Sequence, residues 1–208
     1  MLLASSCATP GYPVIEERSP IFSPRPATYA VKAGDTLYSI GWRFSLDVQG
    51  LARANGLRPP YTIYPGQSLR LVVQLQPNRR PAPASKATHP TLSWRWPTNS
   101  RVVRDYGRGN KGIDFAVATG AAVGASATGE VVYAGNGLGG YQHLVIIKHD
   151  TRYLSAYSFN QPMMVREGQQ IEAGQTLTEI GGRGRSAQAL HFEIRSNGEP
   201  VSPRSLLP

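Results

Sequence analysis

Two different spacings of apolar residues divide the chain. In Thr28-Tyr-Ala-Val-Lys32 apolar and polar side chains alternate, the period of a half-buried strand. Ala33-Gly34-Asp35-Thr36 then reads as a turn and a helix cap, because Asp and Thr side chains accept from the free N–H groups of a first helical turn. Leu37, Ile40 and Phe44 recur at helical spacing. After Ser45-Leu-Asp47, a second helix is marked by Val48, Leu51 and Ala52 and ended by Asn55-Gly56. Ile63 and Pro65-Gly66-Gln67 lead into a closing strand over residues 68–72. The first pattern is strand–helix–helix–strand.

From Trp94 the period shortens to that of strands. Ala127–Tyr133, Leu144–Lys148, Tyr153–Tyr157 and Leu190–Arg195 alternate or run apolar between glycine-rich turns, which predicts an all-β sandwich or barrel-like domain. The run Val165-x-x-Gly168-x-x-Ile171-x-x-Gly174-x-x-Leu177 also occurs in lipoyl and biotinyl carriers. Those need a lysine at a hairpin tip, and no lysine follows Lys148. Between the two patterns, residues 73–92 hold Pro77, Arg79, Arg80, Pro81, Pro83 and Pro90 and read as an extended linker. At ~3.1 Å per residue it reaches ~60 Å at most, enough to hold two modules apart. The fold class is multi-domain α+β: a small βααβ module over 28–72, a Pro-rich linker over 73–92 and an all-β, barrel-sandwich domain over 93–208.

Composition adds three constraints. The 208 residues are 40% hydrophobic, enough for two cores. The net charge is +9, but it is spread evenly: seven basic against four acidic residues over 1–72, three against none over 73–92 and twelve against nine over 93–208. A nucleic-acid partner calls for a concentrated basic stripe, so none is expected; a diffuse excess suits an anionic wall polymer or an acidic protein. Cys7 is the single cysteine, which excludes a disulfide within the chain. It follows Leu2-Leu-Ala-Ser-Ser6, which resembles the end of a bacterial lipoprotein signal, although a charged start and a full apolar core are missing. Residues 1–27 are therefore expected to be a truncated lipoprotein signal and disordered N-terminus, with Cys7 lipidated. The alternative is a short apolar N-terminus with a chance cysteine. No other stretch approaches the ~20 apolar residues of a transmembrane span.

Tyr29-x-Val31, Gly34-Asp35-Thr36-Leu37, Ile40, Asn55-Gly56 and Ile63-x-Pro65-Gly66-Gln67-x-Leu69 fall in the order of a LysM peptidoglycan-binding module, which the first unit resembles. The resemblance implies a shallow groove for N-acetylglucosamine-containing glycan strands in the loops holding Asp35, Thr36, Leu37, Ile63, Tyr64 and Pro65. Leu37 and Ile40 also suit the module's own core.

Residues 109–114 read Gly-Asn-Lys-Gly-Ile-Asp, and 190–195 read Leu-His-Phe-Glu-Ile-Arg. With the strands between them, the last hundred or so residues resemble the LytM (lysostaphin-type, M23) zinc peptidases. A hydrolytic zinc centre takes three protein ligands and an open position for water. That family supplies His-x-x-x-Asp and the second His of His-x-His, with a catalytic His in a Tyr-Ala-His segment. By this resemblance the ligand positions fall on Asn110, Asp114 and Glu193, and the catalytic position on Phe159 in Tyr157-Ser158-Phe159; His191 is retained. An amide oxygen is a weak zinc ligand, a phenyl ring transfers no proton, and two carboxylates alone suit hard cations better than zinc. His143 and His149 flank Leu144–Lys148 as strand-end residues and are the candidates for rescuing a metal site. The expectation is no enzyme, no metal and no cofactor.

Asn110–Asp114, Val131-Val-Tyr-Ala-Gly-Asn136, Gly140-Tyr141, Ile146–His149, Tyr153–Tyr157 and Leu190–Arg195 together resemble murein hydrolase activators of the NlpD and EnvC type. That resemblance implies activation of a periplasmic N-acetylmuramoyl-L-alanine amidase during septal peptidoglycan splitting, by a protein anchored to the outer membrane and facing the periplasm. The vacated groove is then a receptor for the amidase, lined by Asn110, Lys111, Asp114, Tyr141, Phe159, His191, Glu193 and Arg195. Lys111 and Arg195 are expected to pair with acidic partner groups, and Tyr141 and Phe159 to give apolar contact. Two alternatives stay open: a residual zinc metallo-endopeptidase cutting peptidoglycan cross-links, and a passive wall-binding lipoprotein.

Overall fold

The computed structural model describes residues 25–71, 92–181 and 188–208. Cys7 and all but the last residue of the expected linker lie outside the described residues. The first unit is β1 (Thr28–Ala30), α1 (Leu37–Phe44), α2 (Val48–Ala54) and β2 (Ser68–Arg70), with β1 and β2 paired antiparallel. Thr36 caps α1 through a reciprocal box: its hydroxyl accepts from the Ser39 N–H at 3.1 Å and the Ser39 hydroxyl accepts from the Thr36 N–H at 3.0 Å. Asp47 caps α2 by accepting from the Gly50 N–H at 2.7 Å. Asn55, at the end of α2, accepts from the Arg70 N–H and donates to the Arg70 carbonyl, fastening α2 to β2.

The second unit runs β3 (Arg101–Arg104), β4 (Ile113–Val117), β5 (Ala122–Gly124), β6 (Gly129–Gly135), β7 (His143–Lys148), β8 (Tyr153–Phe159), β9 (Gln170–Ile171), β10 (Thr176–Glu179), β11 (Gln188–Ser196) and β12 (Glu199–Val201). Eight strands form one antiparallel sheet in the order β3-β4-β11-β8-β7-β6-β9, with β12 on β11; β5 and β10 pair as a separate two-stranded sheet. The expected helices, the closing strand and the four long strands are all present. β3, β4 and β12 carry pairing that the apolar pattern did not announce.

Alternation along the sheet decides what each face does. On β4 and β11, Ile113, Phe115, Val117, Leu190, Phe192 and Ile194 point to one face, where they meet Val145, Ile147 and Tyr157 and are closed over by Val123 and Leu177. That is the core of the domain. The intervening residues, Asp114, His191, Glu193 and Arg195, must then face the other way. The register brings them together: His191 lies opposite Asp114 on β4 and Ser158 on β8, and Glu193 lies opposite Ala156. β4 enters this arrangement past Gly112, where a Cβ would stand 2.1 Å from the Phe192 carbonyl oxygen. Only a glycine fits there.

The linker composition suggested two separated modules. The structure corrects this: the second face of the sheet is covered by the helical unit. Leu37, Ile40, Trp42, Leu46 and Leu51 share one buried apolar cluster with Tyr133, Leu144, Ile146, Leu154 and Ala156. The physical reason lies in the sheet itself. β6, β7 and β8 are apolar on both sides, so their outer face needs a cover.

Candidate functional site

On that second face the polar residues form a continuous buried series. The Asn110 amide donates to the Asp105 carbonyl at 3.1 Å and lies 3.5 Å from Asp114 Oδ2. Asp114 Oδ1 meets His191 Nδ1 at 2.5 Å, and His191 Nε2 meets Glu193 Oε1 at 3.2 Å. Glu193 also accepts from the Tyr141 hydroxyl at 2.8 Å, and its Oε2 is held by Arg195 Nε and Nη2, each at 3.1 Å. Arg195 in turn donates from Nη1 to the Trp42 carbonyl at 2.7 Å, and its guanidinium sits 3.6 Å from the centre of the Trp42 ring. Arg104 approaches the Asp114 end at 3.9 Å.

Asn110, Asp114, His191, Glu193, Arg195 and Trp42 are nearly sealed from solvent: Glu193 is 0% exposed and Arg195 2%. Burial alone disfavours the protonated form of His191. Its hydrogen bonds to Asp114 and Glu193 outweigh that and raise its pKa from 6.5 to about 9. Burial likewise opposes ionisation of Glu193, but the Arg195 charge, followed by the contact with His191, pulls its pKa down to about 2. Near neutral pH His191 is an imidazolium and Glu193 a carboxylate, so acidic and basic side chains alternate along the series from Asp114 to Arg195. Opposite charges in contact are what allow it to be buried.

Comparison with known proteins agrees with this architecture. Residues 29–72 match the LysM domain and residues 108–203 match peptidase family M23. A Pseudomonas aeruginosa protein described as a lipoprotein NlpD/LppB homolog is 37% identical over 243 residues, covering 94% of this chain and 81% of that one. The chain belongs to the NlpD/LppB family. The murein hydrolase activator NlpD of Escherichia coli K12 is 35% identical, covering 88% of this chain and 68% of its own. Among solved structures, the catalytic domain of the antimicrobial peptidase lysostaphin from Staphylococcus simulans aligns with 26% identity and a TM-score of 0.45, over 51% of this chain and 91% of that chain.

The M23 fold raises the question of a zinc ion, and the donors of this NlpD/LppB chain do not fit one. Both ring nitrogens of His191 are engaged by carboxylates, which leaves neither of them directed at an open position for a metal. Glu193 is claimed by Arg195, whose own charge repels a cation. Asn110 offers an amide directed at Asp114 and the Asp105 carbonyl. Among the described residues, no group of three or more His, Cys, Asp or Glu is arranged to hold a metal ion. The rescue histidines are elsewhere. His149 bonds the Thr128 carbonyl and the Ser155 hydroxyl, and burial lowers its pKa to about 4. His143 opens β7 opposite Phe159, away from the series.

Of the eight residues expected to line the groove, the structure brings together Asn110, Asp114, Tyr141, His191, Glu193 and Arg195. Lys111 is half-buried beside them. Two expectations need correction. Phe159 falls on the opposite face, 1% exposed in the main core, because strand alternation from Tyr157 turns it inward. Ser158 takes its place on the groove face with its hydroxyl buried and without a hydrogen-bond partner. Arg195 is not available to an acidic partner group, since Glu193 and Trp42 enclose it. Trp42 itself was missed; at sequence level it reads as one more apolar helix residue.

The six expected glycan residues split. Asp35, Thr36, Leu37 and Ile63 line a cavity of about 290 Å³ whose far wall is Glu130, Val131, Val132, Glu167 and Gly168 of the β domain. Tyr64, 68% exposed, and Pro65 stand outside it. Within the cavity Asp35 accepts from the Tyr29 hydroxyl and the Lys32 N–H, and Thr36 donates to the Val132 carbonyl at 3.1 Å. Leu37 is fully buried, so its role is core.

Proposed function

We propose that this protein is a non-catalytic activator of a periplasmic N-acetylmuramoyl-L-alanine amidase, holding peptidoglycan glycan strands through its LysM module. It acts in septal peptidoglycan splitting and daughter-cell separation, as an outer-membrane lipoprotein anchored at Cys7 and facing the periplasm. The observation that carries this reading is the closed acid–base series. Where an M23 peptidase uses a metal, a water and a base, this chain has Asp114, His191, Glu193 and Arg195 neutralising one another. A face without a nucleophile is left with binding as its chemistry. The relatives named murein hydrolase activators point to a hydrolase as what is bound.

The mechanism is a shift of populations. An amidase held inactive by its own regulatory helix has a small active fraction, and a partner that binds only the released form draws the equilibrium toward it. A sheet face with apolar residues and an anchoring cation suits a helix. A single LysM module binds weakly, and a lipid anchor raises its effective concentration at the wall.

Dye release from stained peptidoglycan tests this. The full chain alone should release nothing, with or without zinc, and should accelerate release by a periplasmic amidase. Lys111→Glu, at the rim of the series, should weaken that acceleration. Zinc-dependent release by the chain alone returns it to the endopeptidases. A chain that binds peptidoglycan but changes no amidase is a passive wall-binding protein.

A further inference from the structure

Two cavities open along the seam between the helical unit and the sheet, and they share a wall. Tyr38 and Tyr61 line both, packed edge to face with ring centres 6.2 Å apart. One cavity is about 290 Å³ and the other about 230 Å³. Each is below the ~300 Å³ at which ligand sites begin, and the two together fall within the usual range. Half-buried aromatic rings present an apolar surface on which the C–H face of a sugar ring can lie. Burial, then Tyr61 and Glu130, push the Tyr38 hydroxyl up to about 12, so it stays a hydrogen-bond donor.

The two ends differ in charge. The larger cavity holds Asp35, Glu130 and Glu167, and no lysine or arginine lines it. In the smaller one the acids are committed elsewhere. Asp47 accepts from the Gly50 N–H and pairs with Arg53, and Asp150 accepts from the N–H groups of Arg152 and Tyr153. Arg152 is held by the Ser196 hydroxyl and the Tyr153 ring. That leaves Lys148. It stands directly across the β6–β7 ladder from Glu130, a position where opposite charges ordinarily pair. Here neither makes an ion pair among the described residues; Glu130 lines one cavity and Lys148 the other. Two unpaired opposite charges on either side of an aromatic pair call for a ligand with groups for both.

We propose that this seam is a peptidoglycan channel longer than the LysM groove, in which the β domain recognises the stem peptide. An uncharged N-acetylglucosamine unit lies in the larger cavity and donates from its hydroxyl groups to Glu130. The strand then crosses Tyr38 and Tyr61, and the stem peptide of the neighbouring muramyl residue sets a carboxylate on Lys148. The channel rests on the glycan-binding role proposed above for the LysM module. It adds a selection by the β domain: the chain holds strands that still carry stem peptides and releases them once an amide-hydrolysing reaction has stripped these away. The preferred ligand is the substrate of such a reaction rather than its product.

The test titrates the full chain by calorimetry with three probes: a tetramer of N-acetylglucosamine, soluble glycan strands bearing stem peptides, and the same strands stripped by an amidase. Wild type should bind stem-bearing strands about tenfold tighter than stripped ones, the worth of one charge-assisted hydrogen bond. Added salt should shrink that preference. Lys148→Gln should bind both kinds of strand alike, and Glu130→Gln should weaken binding of all three probes. Equal binding of both strands by wild type, or a preference that survives Lys148→Gln, overturns the stem-peptide contact. Glu130→Gln binding that matches wild type overturns the part of the β domain in the sugar site. A wild type that binds the tetramer without discriminating between strands sinks this inference alone; a wild type that binds no probe sinks the glycan-binding role as well.

Discussion

Replacing Glu193 by Gln tests the charge logic of the buried series with little change of shape. In the native chain one carboxylate, 0% exposed, faces Arg195, His191 and the Tyr141 hydroxyl. The amide keeps an oxygen for one of these but no negative charge, so Arg195 and the His191 imidazolium are left close together with only Asp114 to balance them. Breaking a buried ion pair by removing one partner costs about 3–5 kcal/mol. In a chain of this size each kcal/mol moves the unfolding midpoint by about 2–4 °C, so a fall of roughly 10 °C or more is expected at pH 6. The pH dependence gives an internal control. The pKa of His191 is raised from 6.5 to about 9, so its contribution to stability is complete below 6.5 and is lost as pH rises through about 9. Wild type should lose stability across that window, by up to about 3 kcal/mol. The Glu193→Gln protein has less to lose, so the gap between the two should narrow by pH 9.5. Urea unfolding at pH 6 and 9.5, followed by near-ultraviolet circular dichroism, measures both. A difference below about 1 kcal/mol that is the same at both pH values refutes the reasoning and means that water reaches the series.

Three further outcomes follow from single residues. The His191 ring should titrate by NMR with a midpoint near 9, while His149 should stay neutral down to about pH 4. Gly112→Ala should prevent the domain from folding, read as loss of soluble protein, because its Cβ meets the Phe192 carbonyl at 2.1 Å with only backbone to yield. Ile63→Asp should weaken sedimentation with peptidoglycan more than Tyr64→Ala, because Ile63 lines the cavity and Tyr64 does not.

Much of the fold was legible because its signals are local. Thr36, Asp47 and Asn55 mark helix ends by the hydrogen bonds their side chains can make. The apolar runs of β6, β7, β8 and β11 state their own period. β3 and β12 are short, and β4 is masked by Asp114, a polar residue on the groove face that reads as a ligand rather than as part of a strand. The candidate site was legible as a set of positions but not as an arrangement. Nothing local in Leu190-His-Phe-Glu-Ile-Arg195 shows that His191 bonds two carboxylates or that Arg195 closes over Glu193; that depends on register with β4. Phe159 was placed in the groove by its motif position, and strand alternation overrules the motif. The docking of Trp42 on Arg195 joins residues 153 apart in sequence, and a proline-rich linker gives no warning of it.

The most direct measurement is chromatography of the products released from isolated peptidoglycan sacculi by the full chain, alone and with a periplasmic amidase. The chain alone should release nothing. With the amidase it should increase free stem peptides and leave glycan strands stripped of them, with or without a zinc chelator on the activator. Chelator-sensitive release by the chain alone of uncross-linked glycan strands, with their stem peptides still attached, would contradict the non-catalytic reading.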